Sequence, residues 1–167
     1  IDVVNRYGRK YNMMIITDSA SDITKQETEE MGIRMVSLKI RFSDGEFQQN
    51  TEEDFFTFFE KLAAEKELPT TSQPSPEDFL ELYEEAKETG EEVLVITLSS
   101  GLSGTVNAAN LAKQMAEYEK IWIVDSEQAI ITQRFLVQRA VQMRKDGKTI
   151  EEIVACIEDL KKRLTVC

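Results

Sequence analysis

The sequence predicts an α/β fold: a three-layer α/β/α sandwich built on a mainly parallel sheet. Three observations predict it. Apolar, β-branched-rich runs at 13–16, 93–98 and 121–124 are continuous, as in strands covered on both faces. Helical patterns with readable caps lie between them. Strand and helix alternate along the whole chain.

The first strand is expected near 13–18. The second, near 35–42, reads differently: Val36, Leu38, Ile40 and Phe42 share one side, while Lys39 and Arg41 lie on the other. That alternation predicts a half-exposed strand near a sheet edge. Ser43-Asp44-Gly45 then signals a turn, with Glu46-Phe47 as a short return strand. Strands near 93–98 and 121–125 complete the set. Ile15, Val95, Ile96, Ile123 and Val124 are expected to be almost fully buried.

The helices follow from their caps. Thr24 with Glu27 fits a capping box, and Gly32 can close that helix in the left-handed conformation. Thr51 opens a second helix that runs through Leu62. Ser75-Pro76-Glu77-Asp78 sets a cap, a first-turn proline and acids at the positive end of a third, which Gly90 ends. Further helices are expected from about Gly104 to Glu117 and from Gln128 to Lys145. Thr149 with Glu152 caps the last, with Ile150, Ile153, Val154, Ile157 and Leu160 on one face. Residues 1–12 are polar, lack periodicity and precede a Met-Met pair; they are expected to form a leader outside the fold. Residues 13–167 are expected to form one domain, and Leu164 to Cys167 starts as a further strand would.

Composition narrows the function classes. A chain of 167 residues has room for one domain with a real core. Twenty basic residues against 31 acidic give a net charge of −11, a field that repels nucleic-acid backbones and anionic membrane surfaces. No apolar run approaches the length of a membrane span, and no signal-peptide pattern is present, so the expected location is cytoplasmic. Histidine is absent, which removes Ser-His-Asp and Cys-His catalysis and His-ligated zinc.

Small polar residues follow each buried strand: Thr17-Asp18-Ser19, Ser99-Ser100-Gly101 and Asp125-Ser126. Any one of these can simply cap the helix that follows. Three of them, with Thr70-Thr71-Ser72-Gln73-Pro74, predict a donor-rich rim where open parallel sheets bind ligands. Ser99 to Thr105 lies between strand and helix, where free N–H groups and the helix dipole favour an anion. It lacks the glycine spacing and lysine of a phosphate loop. Thr105 stands where a nucleophile elbow needs glycine, so Ser103 is read as a binding hydroxyl. Asp18 and Asp22 are read as turn and cap acids, without a third oxygen ligand at metal spacing. Phe55, Phe56, Phe58 and Phe59 exceed what one helix buries on one sheet face. The surplus predicts an apolar ligand or partner.

Thr17-Asp18-Ser19-Ala20-Ser21-Asp22, Thr71-Ser72-Gln73-Pro74-Ser75, Leu98-Ser99-Ser100-Gly101-Leu102-Ser103-Gly104-Thr105 and Val124-Asp125-Ser126 occur in an order and spacing that resembles the DegV family. The resemblance covers about 13–167 and implies that family's first α/β domain. It implies bacterial fatty-acid-binding proteins, including subunits that present the acyl carboxylate to a separate ATP-using fatty acid kinase subunit. By that likeness Thr71, Ser72, Ser99 and Ser100 surround the carboxylate. Ser103, Gly104 and Asp18 are expected to complete the site, and no metal or cofactor is expected. The family's serine and glycines after Val-Asp-Ser are replaced here by Ile130, Thr132 and Arg134. Its second, lipid-covering domain is expected to be absent, which leaves an apolar patch and predicts either a homodimer that covers it or a poorly soluble monomer. The rival reading is a magnesium-dependent phosphotransferase or hydrolase using Asp18, Asp22 and Asp125; a third is a ligand-free interaction module.

Overall fold

A computed structural model describes residues 12–47 and 52–164. In chain order the elements are β1 (Met13–Asp18), α1 (Lys25–Met31), β2 (Arg34–Val36), β3 (Lys39–Phe42), β4 (Gly45–Phe47), α2 (Glu52–Ala64), β5 (Thr70–Ser72), α3 (Pro76–Thr89), β6 (Glu92–Thr97), α4 (Thr105–Ala116), β7 (Ile121–Asp125), α5 (Ile130–Lys145) and α6 (Ile150–Leu160). Short 3-10 turns follow β1 and α6, at Ser19–Ser21 and Lys161–Arg163. The expected leader up to Tyr11, the helix start at Thr51, the side chain of Phe55 and residues 165–167 lie outside the described residues.

Four strands pair in parallel in the order β2-β1-β6-β7. Successive side chains alternate between the two faces of that sheet. Met13, Ile15, Leu94, Ile96 and Val124 pack against Leu136 and Val137 of α5 and Ile150 and Ile153 of α6. Met14, Ile16, Val93, Val95 and Ile121 meet Phe79 and Tyr83 of α3 and the alanine face of α4. Helices therefore cover both faces, and the three-layer α/β/α expectation holds. The caps are as read: Thr24 and Glu27 exchange hydrogen bonds at α1, and Thr149 and Glu152 do so at α6. Gly32, at φ 62°, closes α1.

Two expectations need correction. The run near 35–42 is two strands in two sheets. β2 stops at Val36 on the edge of the parallel sheet, and the Leu38 N–H turns to Ser19 Oγ at 2.9 Å. β3 then enters a separate antiparallel sheet ordered β4-β3-β5. The return strand is there as β4, with Ile40 opposite Phe47. Its other partner, β5, is the polar Thr70-Thr71-Ser72, which carries no strand signal of its own. Secondly, Ile123 is only partly buried, on a strand whose one sheet neighbour among the described residues is β6. Ile15, Val95, Ile96 and Val124 are buried as expected.

The small sheet carries α2. The Phe58 ring packs edge-on to Phe42 at 5.6 Å and lies 5.9 Å from Phe47. Phe56 and Phe59 remain 69% and 50% exposed, so α2 keeps apolar surface that the core does not use.

Candidate binding site at the carboxyl rim

Strand order fixes where a crevice opens. From β1 the chain moves outward to β2, and it later returns on the other side of β1 as β6. Connections leave these two neighbours in opposite directions, which is the switch point where open α/β sheets bind ligands. One side chain spans it. Asp18 ends β1, and its Oδ2 accepts from the Leu98 N–H at 2.6 Å just past β6. Its Oδ1 accepts from the Ala20 N–H at 3.1 Å and from Gln133 Nε2 of α5 at 3.1 Å. Asp18 is 1% exposed, so it lies beneath the rim with both oxygens engaged. Burial pushes its carboxyl above the ordinary range, against the pull of the Leu98, Gln133 and Ala20 donors.

The loop after β6 lies above this bond. Ser99 carbonyl accepts from the N–H groups of Leu102 and Ser103, and Ser99 Oγ accepts from the Gly101 N–H at 3.2 Å. Two bonds tie the loop to the turn after β7. The Ser99 N–H reaches the Gln128 carbonyl at 3.0 Å, and the Ser100 N–H reaches Asp125 Oδ1 at 3.2 Å. Burial would raise the Asp125 carboxyl. The Ser100 hydroxyl, the Glu127 and Ser100 N–H groups and nearby Lys161 outweigh it and hold Asp125 below the ordinary carboxylate range. Ser103 and Thr105 share a hydroxyl contact of 2.9 Å at the start of α4.

The segment around β5 meets this loop through Gln73, which the sequence marks only as part of the donor-rich rim. A Cβ built on Gly104 would stand 1.9 Å from Gln73 Oε1, so the Gln73 carboxamide lies directly against the Gly104 backbone. Gln73 follows Thr71 and Ser72 on β5, which pair with Ile40 and Lys39 of β3. Both side chains are exposed, and their hydroxyls make no hydrogen bond among the described residues. The expected site residues thus divide. Gln73 ties the strand that carries Thr71 and Ser72 to the loop that carries Ser99, Ser100, Ser103 and Gly104, while Asp18 supports that loop from below.

Three further residues matter here: Gln133 and Lys161, which the sequence does not single out, and Arg134, which it marks only as a departure from the family pattern. Gln133 is buried on the apolar face of α5 at helical spacing from Leu136 and Val137, and a buried glutamine there was the available signal. Arg134 donates to the Asp22 carbonyl at 2.8 Å and pairs with Glu27, binding α5 to the turn after β1. Lys161 shows only its local pair with Glu158 in the sequence; its bonds to the turn after β7 are set by the fold.

Two acids of the rival reading, Asp18 and Asp125, have other work. Asp18 is saturated by N–H donors, and Asp125 faces Ser100 and Glu127. Among the described residues no three acidic or cysteine side chains form a group that holds a metal. No helix among them is long and apolar enough to cross a membrane. Two open hollows of about 530 and 490 Å³ lie elsewhere, one beside Asn110, Lys113 and Tyr118 and one beside Asp44, Lys61 and Glu65.

Comparison with known proteins gives a consistent set. Residues 12–167 match the model of the DegV family of uncharacterised proteins. Protein DegV of Bacillus subtilis is 34% identical over 152 residues, which are 90% of this chain and 54% of that protein. Among solved structures, a DegV family protein from Thermus thermophilus described by its fatty acid binding superposes with a TM-score of 0.79. It is 33% identical and covers 90% of this chain and 53% of its own. A Thermotoga maritima protein described as revealing a fatty acid binding function superposes with a TM-score of 0.80. Identity there is 32%, over 91% of this chain and 56% of that one. The chain spans about half the length of the relatives it matches.

Proposed function

This chain belongs to the DegV family, and we propose that it binds a long-chain fatty acid by its carboxylate at the carboxyl rim of the parallel sheet. The observation that carries the reading is the Gln73–Gly104 contact. It brings β5, whose Thr71 and Ser72 hydroxyls make no hydrogen bond among the described residues, onto the loop of Ser99, Ser100 and Ser103 at the N-terminus of α4. A carboxylate is an acceptor that several hydroxyls and N–H groups serve at once, and the positive end of a helix favours it. Asp18 is assigned a supporting role, since its oxygens are already engaged.

The rim is suited to holding the head of the ligand while leaving it reachable. With no histidine in the chain, no side chain of the usual kind activates Ser99, Ser100 or Ser103 as a nucleophile. We therefore assign this chain a binding role, with the carboxylate presented to a separate ATP-using kinase subunit in the cytoplasm. The acyl tail is assigned to the extra length that the relatives carry and to the apolar surface of this chain. Each buried methylene contributes about 0.8 kcal/mol, so a tail left half in water weakens binding by orders of magnitude.

Mass spectrometry of lipid extracted from the purified protein tests the reading. Saturated or monounsaturated fatty acids, stoichiometric with protein and lost in a Thr71→Val, Ser72→Ala variant, are expected. A preparation that neither carries fatty acid nor takes up oleate after delipidation contradicts it.

A further inference from the structure

Lys161 is a charged residue only 7% exposed, and it lies far in sequence from every residue assigned to the site. Burying an ammonium is unfavourable unless acceptors surround it. Its Nζ lies 2.9 Å from the Asp125 carbonyl, 2.9 Å from Glu127 Oε1 and 2.8 Å from Glu158 Oε2. Its own carbonyl accepts from Gln128 Nε2 at 3.2 Å. The Lys161 ammonium thus grips the turn after β7 at Asp125 and Glu127, while its main chain meets Gln128.

That same turn holds the loop after β6. Asp125 Oδ1 receives the Ser100 N–H, and the Gln128 carbonyl receives the Ser99 N–H. The turn needs holding, because Glu127 has φ 53° and Ile130 has φ 53°. Left-handed backbone is unfavourable for both, and most of all for a β-branched isoleucine.

We propose that Lys161 is a positioning residue for the carboxylate-binding loop, acting through Asp125 and Gln128 on Ser99 and Ser100. The inference rests on the reading that Ser99 and Ser100 hold the carboxylate. Of the acceptors around Nζ, the carboxylates of Glu127 and Glu158 are 61% and 41% exposed, and ion pairs of that kind contribute little. The bond to the buried side of the turn, at the Asp125 carbonyl, is the one that fixes geometry. The turn that follows α6 is thereby coupled to the head of the ligand.

The test is Lys161→Met, which keeps an unbranched stem and removes the ammonium. Amide hydrogen exchange without ligand reads the brace itself. Ser99 and Ser100 are expected to exchange about tenfold faster, while Val95 in β6 keeps its protection. Calorimetry with oleate and with oleyl alcohol then separates positioning from general weakening. Oleate affinity is expected to fall about tenfold, with the alcohol unchanged. Glu158→Gln, which removes an outer ion pair only, is expected to leave both affinities as they were. Unchanged exchange at Ser99 and Ser100, or equal loss for acid and alcohol, overturns the proposal. If the unaltered chain binds neither ligand, the fatty acid reading fails by itself, and the exchange measurement still decides whether Lys161 braces the loop.

Discussion

The Gln73 carboxamide lies against the backbone of Gly104, with Oε1 only 1.9 Å from where a β-carbon would stand. Glycine at 104 is therefore a matter of space. Its φ of −80° and ψ of 12° are open to other residues. The contact joins the polar strand β5 to the start of α4, two segments that share no ladder.

Gly104→Ala is expected to swing Gln73 away without unfolding the chain, because the clash is with the free end of a flexible side chain. Stability should fall by about 1 kcal/mol or less, within the range of an ordinary surface change. Oleate affinity should fall about tenfold as Thr71 and Ser72 lose their register with Ser99. Adding Gln73→Ala should restore stability, and a double-mutant cycle by thermal unfolding and calorimetry measures the coupling.

The two strand-end aspartates titrate with opposite signs. Asp18 has its carboxyl raised in the fold, so its contribution is complete below the ordinary carboxyl range and is lost as pH rises through the folded value. Asp125 is held low. Its contribution is present above the ordinary range and is lost as pH falls through the folded value. Urea unfolding from about pH 3 to 7 should show the acid-side fall flattened in Asp125→Asn and steepened in Asp18→Asn. The same slope in both variants would contradict the assignment.

Asp18→Asn should also be costly at neutral pH. Two backbone N–H donors and Gln133 Nε2 point at the carboxylate, and an amide NH2 placed among them leaves a buried donor unpaired. A loss of about 2–4 kcal/mol is expected, measured by denaturant midpoint.

The exposed rings of Phe56 and Phe59 lie three positions apart, on one face of α2. Sedimentation is expected to show two copies paired through that face, and Phe56→Glu with Phe59→Glu should return the chain to monomer. A monomer across the micromolar range in the unaltered chain would exclude this pairing.

Much of this was legible locally. The runs around Ile15, Val95 and Val124 are continuous because helices cover both faces of those strands. The capping pairs at Thr24 and Thr149 lie three residues from their partners, so sequence alone displays them. The exchange of sheets between Val36 and Lys39 was not legible. The alternation of apolar residues runs on through Ser37 and Leu38, while the event that divides it is a bond to Ser19. Thr70-Thr71-Ser72 became a strand only because β3 lay beside it. At the site, the hydroxyl-rich strand ends were visible as local triplets. The parts played by Gln73, Gln133 and Lys161 were not, because Gly104, Asp18 and Asp125 reach them only in the fold.

The central claim is that hydroxyls on β5 and in the loop after β6 share one carboxylate. Calorimetric titration of oleate into the delipidated chain, with Thr71→Val, Ser72→Ala as the comparison, tests it most directly. Hydrogen bonds to a charged group contribute about 1.5–3 kcal/mol each, so affinity should fall at least tenfold for the pair, with the fold unchanged by thermal melt. Equal affinity in the two proteins would show that the carboxylate is held elsewhere.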